Sequence, residues 1–303
     1  MSPETENLID VRRLKRRLRF WRVLAVITIL VAGGFAVFQY NEDKTGAYVA
    51  KLRVHGIIVE DLERERALDD VVSDKEAKAL IVHIDSPGGT VVGGETLFEA
   101  LRNVSAKKPV VAVMGAMATS AGYMTALGSD RIFARKGSLT GSIGVLLQTA
   151  DVTGLMEKMG VKPETIKSGP LKAQPNPLEN MSPEARRSMQ EVVMDMHAMF
   201  VDLVADRRDM ERENVLALAD GQVMTGRKAR QIGLVDAIGG EEAALDWLEE
   251  KHQISADIRL HEVKIERSRG DWGWIFDAIS GKALFSERLK LDGLVSLWHP
   301  VGW

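Results

Sequence analysis

Continuous apolar runs constrain the fold of this chain more than any other feature of its sequence. The two longest lie at Ala79–Ile84 and Pro109–Met114, and such runs are typical of strands in a sheet that is covered on both faces. Helical patterns follow them at Val91–Val104 and Ala121–Leu127. Further strands are predicted at Tyr48–Val59, Arg131–Ala134 and Ile143–Leu147, and further helices at Val152–Met159, Gly226–Gln231 and Glu241–Lys251. Strands that alternate with helices in this way predict repeated β–α units in a layered α/β fold.

Composition excludes several classes of protein. The 303 residues are 45% apolar and 27% charged, which is ordinary for a globular chain. The absence of cysteine excludes a disulfide framework, a cysteine-based zinc site and a thiol nucleophile. The net charge of −3 is unevenly spread, because the N-terminal segment is basic and the rest of the chain is acidic. A mildly acidic body argues against nucleic-acid binding, which normally requires a basic face.

The N-terminal segment is predicted to anchor the chain in the inner (cytoplasmic) membrane. Residues 1–22 hold seven basic side chains against three acidic ones, and residues 23–40 carry no charge, which approaches the ~20 residues that cross a bilayer. Trp21 and Tyr40 suit the two interfaces, and the positive-inside rule places residues 1–22 in the cytoplasm and the rest outside it. A cleaved signal peptide and a buried helix are the alternatives. Bulky residues before Tyr40 argue against cleavage, and the basic cluster argues against a buried helix.

Residues 45–265 contain no evident linker and are predicted to form one domain, which a tail at 266–303 follows. A long helix should begin after Ser182, which suits the N-cap position ahead of Pro183. Its apolar stripe predicts core packing and consists of Ala185, Met189, Val192, Met196, Met199 and Leu203. The tail holds four of the six Trp residues. Two interpretations stay open for it: a helix near Trp274–Leu289 that packs on the body, or a hydrophobic arm that meets a membrane, a neighbouring subunit or an apolar substrate.

A turn rich in Pro and Gly, Asp85–Gly89, follows the first apolar run. Glycine adopts backbone conformations that are closed to other residues. A pair of glycines just before a helix can therefore present bare N–H groups to an anion. A tight connection from strand to helix would explain the same residues without any function.

A second turn of small residues, Gly115–Tyr123, follows the second apolar run and contains Ser120 at the start of a predicted helix. A serine in this position is often only a helix cap. It can also be a nucleophile, because the positive helix end and the next N–H would stabilise an oxyanion. Since the two turns follow consecutive core strands, we expect both to open on one cleft.

A serine nucleophile needs a base, and the sequence offers no arrangement of His with Asp near Ser120. His83 lies inside an apolar run and is expected to be a core residue, and the next histidine after Ser120 is His197, within the long helix. A lysine is the alternative, because burial can lower the pKa of a lysine by several units and so supply a neutral amine. Lys167 and Lys172 are the candidates, and the residues alone do not separate them.

Taken together, these motifs resemble the short form of the signal peptide peptidase A family, within the ClpP/crotonase-like serine peptidases. The resemblance runs from about Tyr48 to Glu242. It rests on Asp85-Ser-Pro-Gly-Gly89, Met117-Ala-Thr-Ser-Ala-Gly-Tyr123, Thr140-Gly-Ser-Ile-Gly144, Lys167-Ser-Gly-Pro-Leu-Lys172, Asp220-Gly-Gln-Val-Met-Thr-Gly226 and Ala229-Arg-Gln-Ile-Gly-Leu-Val-Asp236. The fold that it implies is a ClpP/crotonase-like layered fold of repeated β-β-α units, with an N-terminal transmembrane helix.

The resemblance also implies a role for each site residue. The nucleophile falls on Ser120, the general base on Lys172 and the residue that orients the base on Ser142. The oxyanion hole falls on the N–H of Gly89, with the N–H of Ala121 as second donor. Ala121 departs from the Gly that is usual in the family, although alanine keeps the N–H group.

The implied function is a Ser/Lys peptidase that needs no metal and no cofactor and degrades remnant signal peptides in the membrane. Its partners would be signal peptides and other hydrophobic peptides, the membrane, and copies of itself in a ring-like homo-oligomer. Two rival classes are a crotonase-like enzyme that acts on acyl-CoA and a non-catalytic membrane scaffold of the same fold. Neither rival requires a nucleophilic Ser120.

Overall fold

The computed structural model describes residues 21–33 and 46–265 and the backbone of 294–297. The chain divides into two compact units, Met1–Ala47 and Tyr48–Trp303. In the first unit, residues 21–33 form a helix, α1. Within the described residues, no helix is both long and apolar enough to cross a bilayer. The predicted anchor at 23–40 lies partly outside them, and the predicted tail helix lies wholly outside them.

Four long or central strands form a parallel sheet at the centre of the second unit. These are β1 (Tyr48–Ile58), β2 (Ala77–Thr90), β3 (Val110–Thr119) and β4 (Arg131–Ala134), and each is parallel to the next. A short strand, β8 (Ala237–Ile238), continues the sheet in parallel beside β4. The predicted mixed α/β class is confirmed, and β2 and β3 extend beyond the apolar runs into the two turns.

Shorter strands extend this sheet, namely β5 (Leu139–Gly141), β6 (Leu146–Leu147), β7 (Val223–Thr225), β9 (Arg259–Glu262) and β10 (Leu294–Leu297). β9 lies parallel to β1, while β5 lies parallel to the end of β3 and antiparallel to β7. β10 lies antiparallel to both β2 and β6. The strand predicted from Ile143 is wrong in its first three residues. There the chain leaves the ladder after Ser142, which has a left-handed φ of 51° and donates its N–H to the Gln222 carbonyl.

The helices of the second unit cover both faces of the sheet. They are α2 (Leu62–Ser73), α3 (Val91–Ser105), α4 (Ala121–Leu127), α5 (Thr153–Lys158), α6 (Pro183–Arg208), α7 (Arg212–Leu218), α8 (Gly226–Gln231) and α9 (Glu241–His252). Leu80 and Val82 of β2 belong to a core cluster that includes α3, α4 and α6, whereas Ile81 packs with Ala244 and Leu248 of α9. Successive side chains of a strand point to opposite faces, so the continuous apolar run is explained by burial on both sides.

Helix α6 begins as predicted but is buried only in part. The Ser182 hydroxyl caps the helix by accepting the Ala185 N–H at 3.1 Å. Phe200, Val201 and Val204 in its second half are buried. Beyond Ala185, the predicted stripe in the first half is half-buried at best, because few described elements cover it.

Candidate active site

The two turns singled out in the sequence lie side by side in the structure. Strands β2 and β3 are paired as far as Ser86, which lies opposite Ala118. The Met117 N–H donates to Asp85 Oδ1 at 3.1 Å, and the Thr119 hydroxyl donates to the Pro87 carbonyl at 3.0 Å. These contacts hold the glycine turn against the turn that leads into Ser120.

Ser120 has a backbone conformation that is rare for a side chain larger than glycine. Its φ is 56° and its ψ is −119°, and its N–H donates to the Gly141 carbonyl at 2.9 Å. Residues in such sparsely populated regions cluster at active sites, where the surrounding structure holds them. The Ser120 side chain makes no capping hydrogen bond to α4. The interpretation of Ser120 as a simple helix cap is therefore wrong.

The glycine turn is fixed tightly beside Ser120. The Ser86 hydroxyl donates to the Gly56 carbonyl at 2.6 Å and accepts the Gly88 N–H at 3.1 Å. A Cβ atom at Gly89 would lie 1.8 Å from the Ile58 carbonyl oxygen. Only glycine fits at this position, because the backbone of β1 occupies the space that a side chain needs.

Ala121 and Ser142 both lie close to the Ser120 backbone. Ala121 is the first residue of α4 and is buried, and an N–H in the first turn of a helix has no partner within the helix. Ser142 directly follows Gly141, whose carbonyl accepts the Ser120 N–H. Ser142 is buried as well. The structure thus brings Ser120, Ala121, Ser142 and the glycine turn together.

Lys172 and Ser120 differ in their exposure within the single chain. Lys172 is exposed, in a segment without helix or strand, and its backbone N–H donates to the Gly169 carbonyl at 3.2 Å. Across residues 46–265, its ammonium group forms no hydrogen bond or ion pair. Ser120, by contrast, is 1% exposed. A site that uses both groups would require Lys172 to be buried beside Ser120.

Lys167, the other candidate base, is already committed to an ion pair. Its ammonium bonds to the Glu179 carboxylate, which also accepts hydrogen bonds from the side-chain amides of Gln174 and Asn176. The hydrogen bond from Lys167 lowers the pKa of Glu179. Since the Lys167 amine is already engaged by a carboxylate, this geometry favours Lys172 over Lys167 as the candidate base.

The structure describes five of the six histidines, and His299 lies outside the described residues. Among the five described histidines, none forms a hydrogen bond with Ser120. His197 bonds to the Ala219 carbonyl at 2.9 Å, and the His83 ring lies 5.8 Å from that of His55. The expectation that His83 is a core residue is wrong, because it is only half-buried. Burial, together with the positive charges of His55 and Lys51, lowers its pKa.

A groove of about 550 Å³ lies beside β6. Its walls come from β6 and the residues after it, from residues 176–181 and from the first half of α6. Apolar lining is supplied by Leu147, Met181, Met189 and Val193. Sequence reasoning missed the groove, because its walls come from segments that are distant along the chain.

Comparison with known proteins identifies the family. Residues 102–255 match the model for peptidase family S49, a range that includes Ser120, Ser142 and Lys172. A candidate protease of Synechocystis sp. is 39% identical over 201 residues, which cover 66% of this chain and 72% of that protein. A candidate signal peptide peptidase SppA of Enterococcus faecium is 32% identical over 281 residues, which cover 87% of this chain and 80% of that protein.

Among solved structures, a mutant of ClpP1 from Listeria monocytogenes superposes with a TM-score of 0.41 at 16% identity. The alignment covers 63% of this chain and 91% of that one, and a likeness of this size does not assign a fold. The sequence comparisons are stronger evidence for the family than this superposition, because the family match spans just over half of the chain. The chain belongs to peptidase family S49 and is a serine peptidase.

Proposed function

We propose that this chain is a membrane-anchored serine endopeptidase that uses a Ser120/Lys172 dyad and degrades remnant signal peptides after their release. The observation that carries the proposal is the backbone of Ser120, with φ at 56° beside a turn in which only glycine fits. A strained residue next to a glycine turn and a helix start suits nucleophilic attack on a carbonyl. Membership of the peptidase family supports a peptide bond as the target.

The reaction follows from the roles of these groups. The neutral amine of Lys172 takes the proton of the Ser120 hydroxyl, and Ser120 Oγ attacks the peptide carbonyl carbon. The N–H groups of Gly89 and Ala121 donate to the oxyanion that forms. The Lys172 ammonium then gives its proton to the leaving amine, which leaves an acyl ester on Ser120. Water that is deprotonated by Lys172 hydrolyses this ester and restores both groups. Ser142 positions the amine by hydrogen bonding.

The proposal includes a homo-oligomer, in which Lys172 of one chain completes the site of a neighbour. Lys172 is exposed and Ser120 is buried in the single chain, so burial in a subunit contact would supply the dry setting that a neutral lysine needs. The segment around Lys172 exposes large apolar side chains, among them Leu155, Met159 and Ile166, which is 97% exposed. Clusters of such residues mark protein interfaces. A ring-like assembly of the ClpP/crotonase-like type would bury them.

Residues 23–40 are proposed to anchor this body in the inner membrane, with residues 1–22 in the cytoplasm. The basic cluster and the uncharged stretch support this orientation. Apolar substrates are consistent with a membrane anchor, because remnant signal peptides lie in the same bilayer. The groove beside β6 also has apolar lining.

Topology can be tested with a reporter enzyme that folds only in an oxidising compartment. Fused after Trp303, this reporter should be active, because the positive-inside rule exports the body. A reporter that works only in the cytoplasm should stay inactive at the same position. The opposite pair of results would refute the proposed orientation.

The catalytic proposal predicts that a fluorophosphonate probe labels Ser120. Such a probe traps an activated serine as a stable phosphonyl ester, so labelling requires a working nucleophile. Ser120→Ala should abolish labelling, while Ser105→Ala, at the end of α3, should leave it in place. Mass spectrometry of the labelled peptide gives the position. An acyl-CoA enzyme or a scaffold without a nucleophile would show no labelling at Ser120 in the intact assembly.

A further inference from the structure

The segment that carries Lys172 has no apolar core of its own in the single chain. Ile143 and Ala185 are buried, and none of the described residues between them is. Residues 159–182 form neither helix nor strand. Segments with few buried apolar contacts open at little cost in free energy. Other contacts must therefore hold the conformation that presents Lys172.

Glu179 closes this segment on itself. Its carboxylate oxygen Oε1 accepts hydrogen bonds from the side-chain amides of Gln174 at 2.8 Å and Asn176 at 3.0 Å. The same oxygen binds the Lys167 ammonium. These donors flank Lys172 on both sides along the chain. All four side chains of this cluster belong to partly buried residues, whereas Lys172 is exposed.

The backbone next to Lys172 adopts a conformation that is rare for alanine. Ala173 has a left-handed φ of 62°, and the residue before it, Lys172, donates its N–H to the Gly169 carbonyl at 3.2 Å. Such a conformation persists only where the surrounding contacts over-determine it. The hydrogen bonds to Glu179 bracket this turn along the chain, so they are placed to hold it.

We propose that Glu179 is a positioning residue, which holds residues 167–176 in the conformation that lets Lys172 reach Ser120 of a neighbouring chain. This inference rests on the proposed dyad. A general base works only within hydrogen-bond reach of the proton that it removes, so a loop that samples many conformations supplies the base for a fraction of the time. A carboxylate suits this role because it accepts several hydrogen bonds at once and its charge strengthens each of them.

Glu179→Ala in the full chain should lower kcat for an apolar fluorogenic peptide. If the loop then keeps its competent conformation a tenth of the time, kcat falls about tenfold. KM should stay nearly unchanged, because the substitution alters the supply of the base and leaves the binding of the peptide intact. Glu179 also lies in the wall of the groove beside β6, and a direct contact with the peptide there would instead raise KM.

Three matched variants accompany this one. Glu179→Gln keeps an acceptor oxygen in the same place and should restore most of kcat. Glu164→Ala removes an exposed carboxylate of the same segment and should leave kcat at the wild-type value. Lys167→Ala removes one donor and leaves the two amides on Glu179, so its effect should be smaller than that of Glu179→Ala.

A double-mutant cycle with Lys172→Ala shows whether Glu179 acts through the base. The rate at which the fluorophosphonate probe labels Ser120 should fall on Glu179→Ala when Lys172 is present. In the Lys172→Ala background, the same change should leave the slow residual labelling as it was, because the two residues act as one unit. Amide hydrogen exchange in Glu179→Ala should be faster across residues 159–182 and unchanged in β3.

The outcomes separate this inference from the proposed function. Unchanged kcat in Glu179→Ala, a rise in KM alone, or an equal loss in both Lys172 backgrounds would overturn the positioning role and leave the peptidase intact. Faster exchange throughout the body of the chain would also overturn it, because Glu179 would then stabilise the fold as a whole. Full activity of Lys172→Ala would instead refute the proposed base, and the positioning role with it.

Discussion

Lys172→Ala is expected to lower kcat/KM for peptide cleavage by a factor of about a hundred to ten thousand, the usual contribution of a general base. The loss should appear in the rate of Ser120 labelling as well, because a serine without its base remains a neutral alcohol. The fold of each chain should persist, since a side chain that is exposed in the single chain, without described ion-pair partners, contributes little to folding. Steady-state kinetics and gel filtration measure the two effects.

Lys167→Ala is the control for this experiment. Lys167 pairs with Glu179, so its removal should leave most of the activity while it loosens the segment between residues 167 and 179. The reverse pattern, with activity lost at Lys167 and kept at Lys172, would identify Lys167 as the base.

Two inactive variants are expected to restore activity when they assemble together. Chains with Ser120→Ala and chains with Lys172→Ala each lack one half of the proposed dyad. If the two halves come from neighbouring chains in a head-to-tail contact, random mixing at equal amounts leaves about a quarter of the interfaces with an intact Ser and an intact Lys. Activity of mixed assemblies should approach a quarter of the wild-type value.

Two affinity tags verify that the mixed assemblies contain both variants. As a control, chains with both substitutions are mixed with chains with Lys172→Ala, and every interface then lacks Lys172. These assemblies should stay inactive. Inactivity of the verified Ser120→Ala and Lys172→Ala mixture would show that each chain builds its own site.

The central strands and the main helices could be predicted because burial dictates their patterns. Both faces of β2 are covered, so the run at Ala79–Ile84 is apolar at nearly every position. The start of α6 could be predicted because the N-cap Ser182 accepts an N–H from the next turn. These signals are local, and they do not depend on which segments become neighbours.

The short strands and the environment of His83 could not be predicted from local sequence patterns. β5 and β7 have only three residues each and exist because they pair with each other, although more than 80 residues separate them in the chain. The prediction for His83 fails because β1 places the polar side chain of His55 beside it. The pairing of β10 has no local signal at all.

The candidate site was predictable in its residue types and not in its geometry. The two turns could be expected to meet because parallel strands end at the same edge of a sheet. The left-handed conformation of Ser120 depends on the Gly141 carbonyl, which β5 positions. The proposed relation of Lys172 to Ser120 depends on contacts between chains, which the sequence of one chain does not encode in any local pattern.

At Ser120, the residue that catalysis requires lowers the stability of the fold. A φ of 56° with a ψ of −119° belongs to glycine by preference, and holding another residue there costs about 1–3 kcal/mol. The substitution Ser120→Gly would relieve that strain and remove the nucleophile in the same change. Stabilising mutations accumulate most easily at positions where they do not impair function. At position 120, selection for peptide cleavage prevents such a mutation. An inactive descendant of this enzyme would be expected to acquire Ser120→Gly early, and a more robust fold with it.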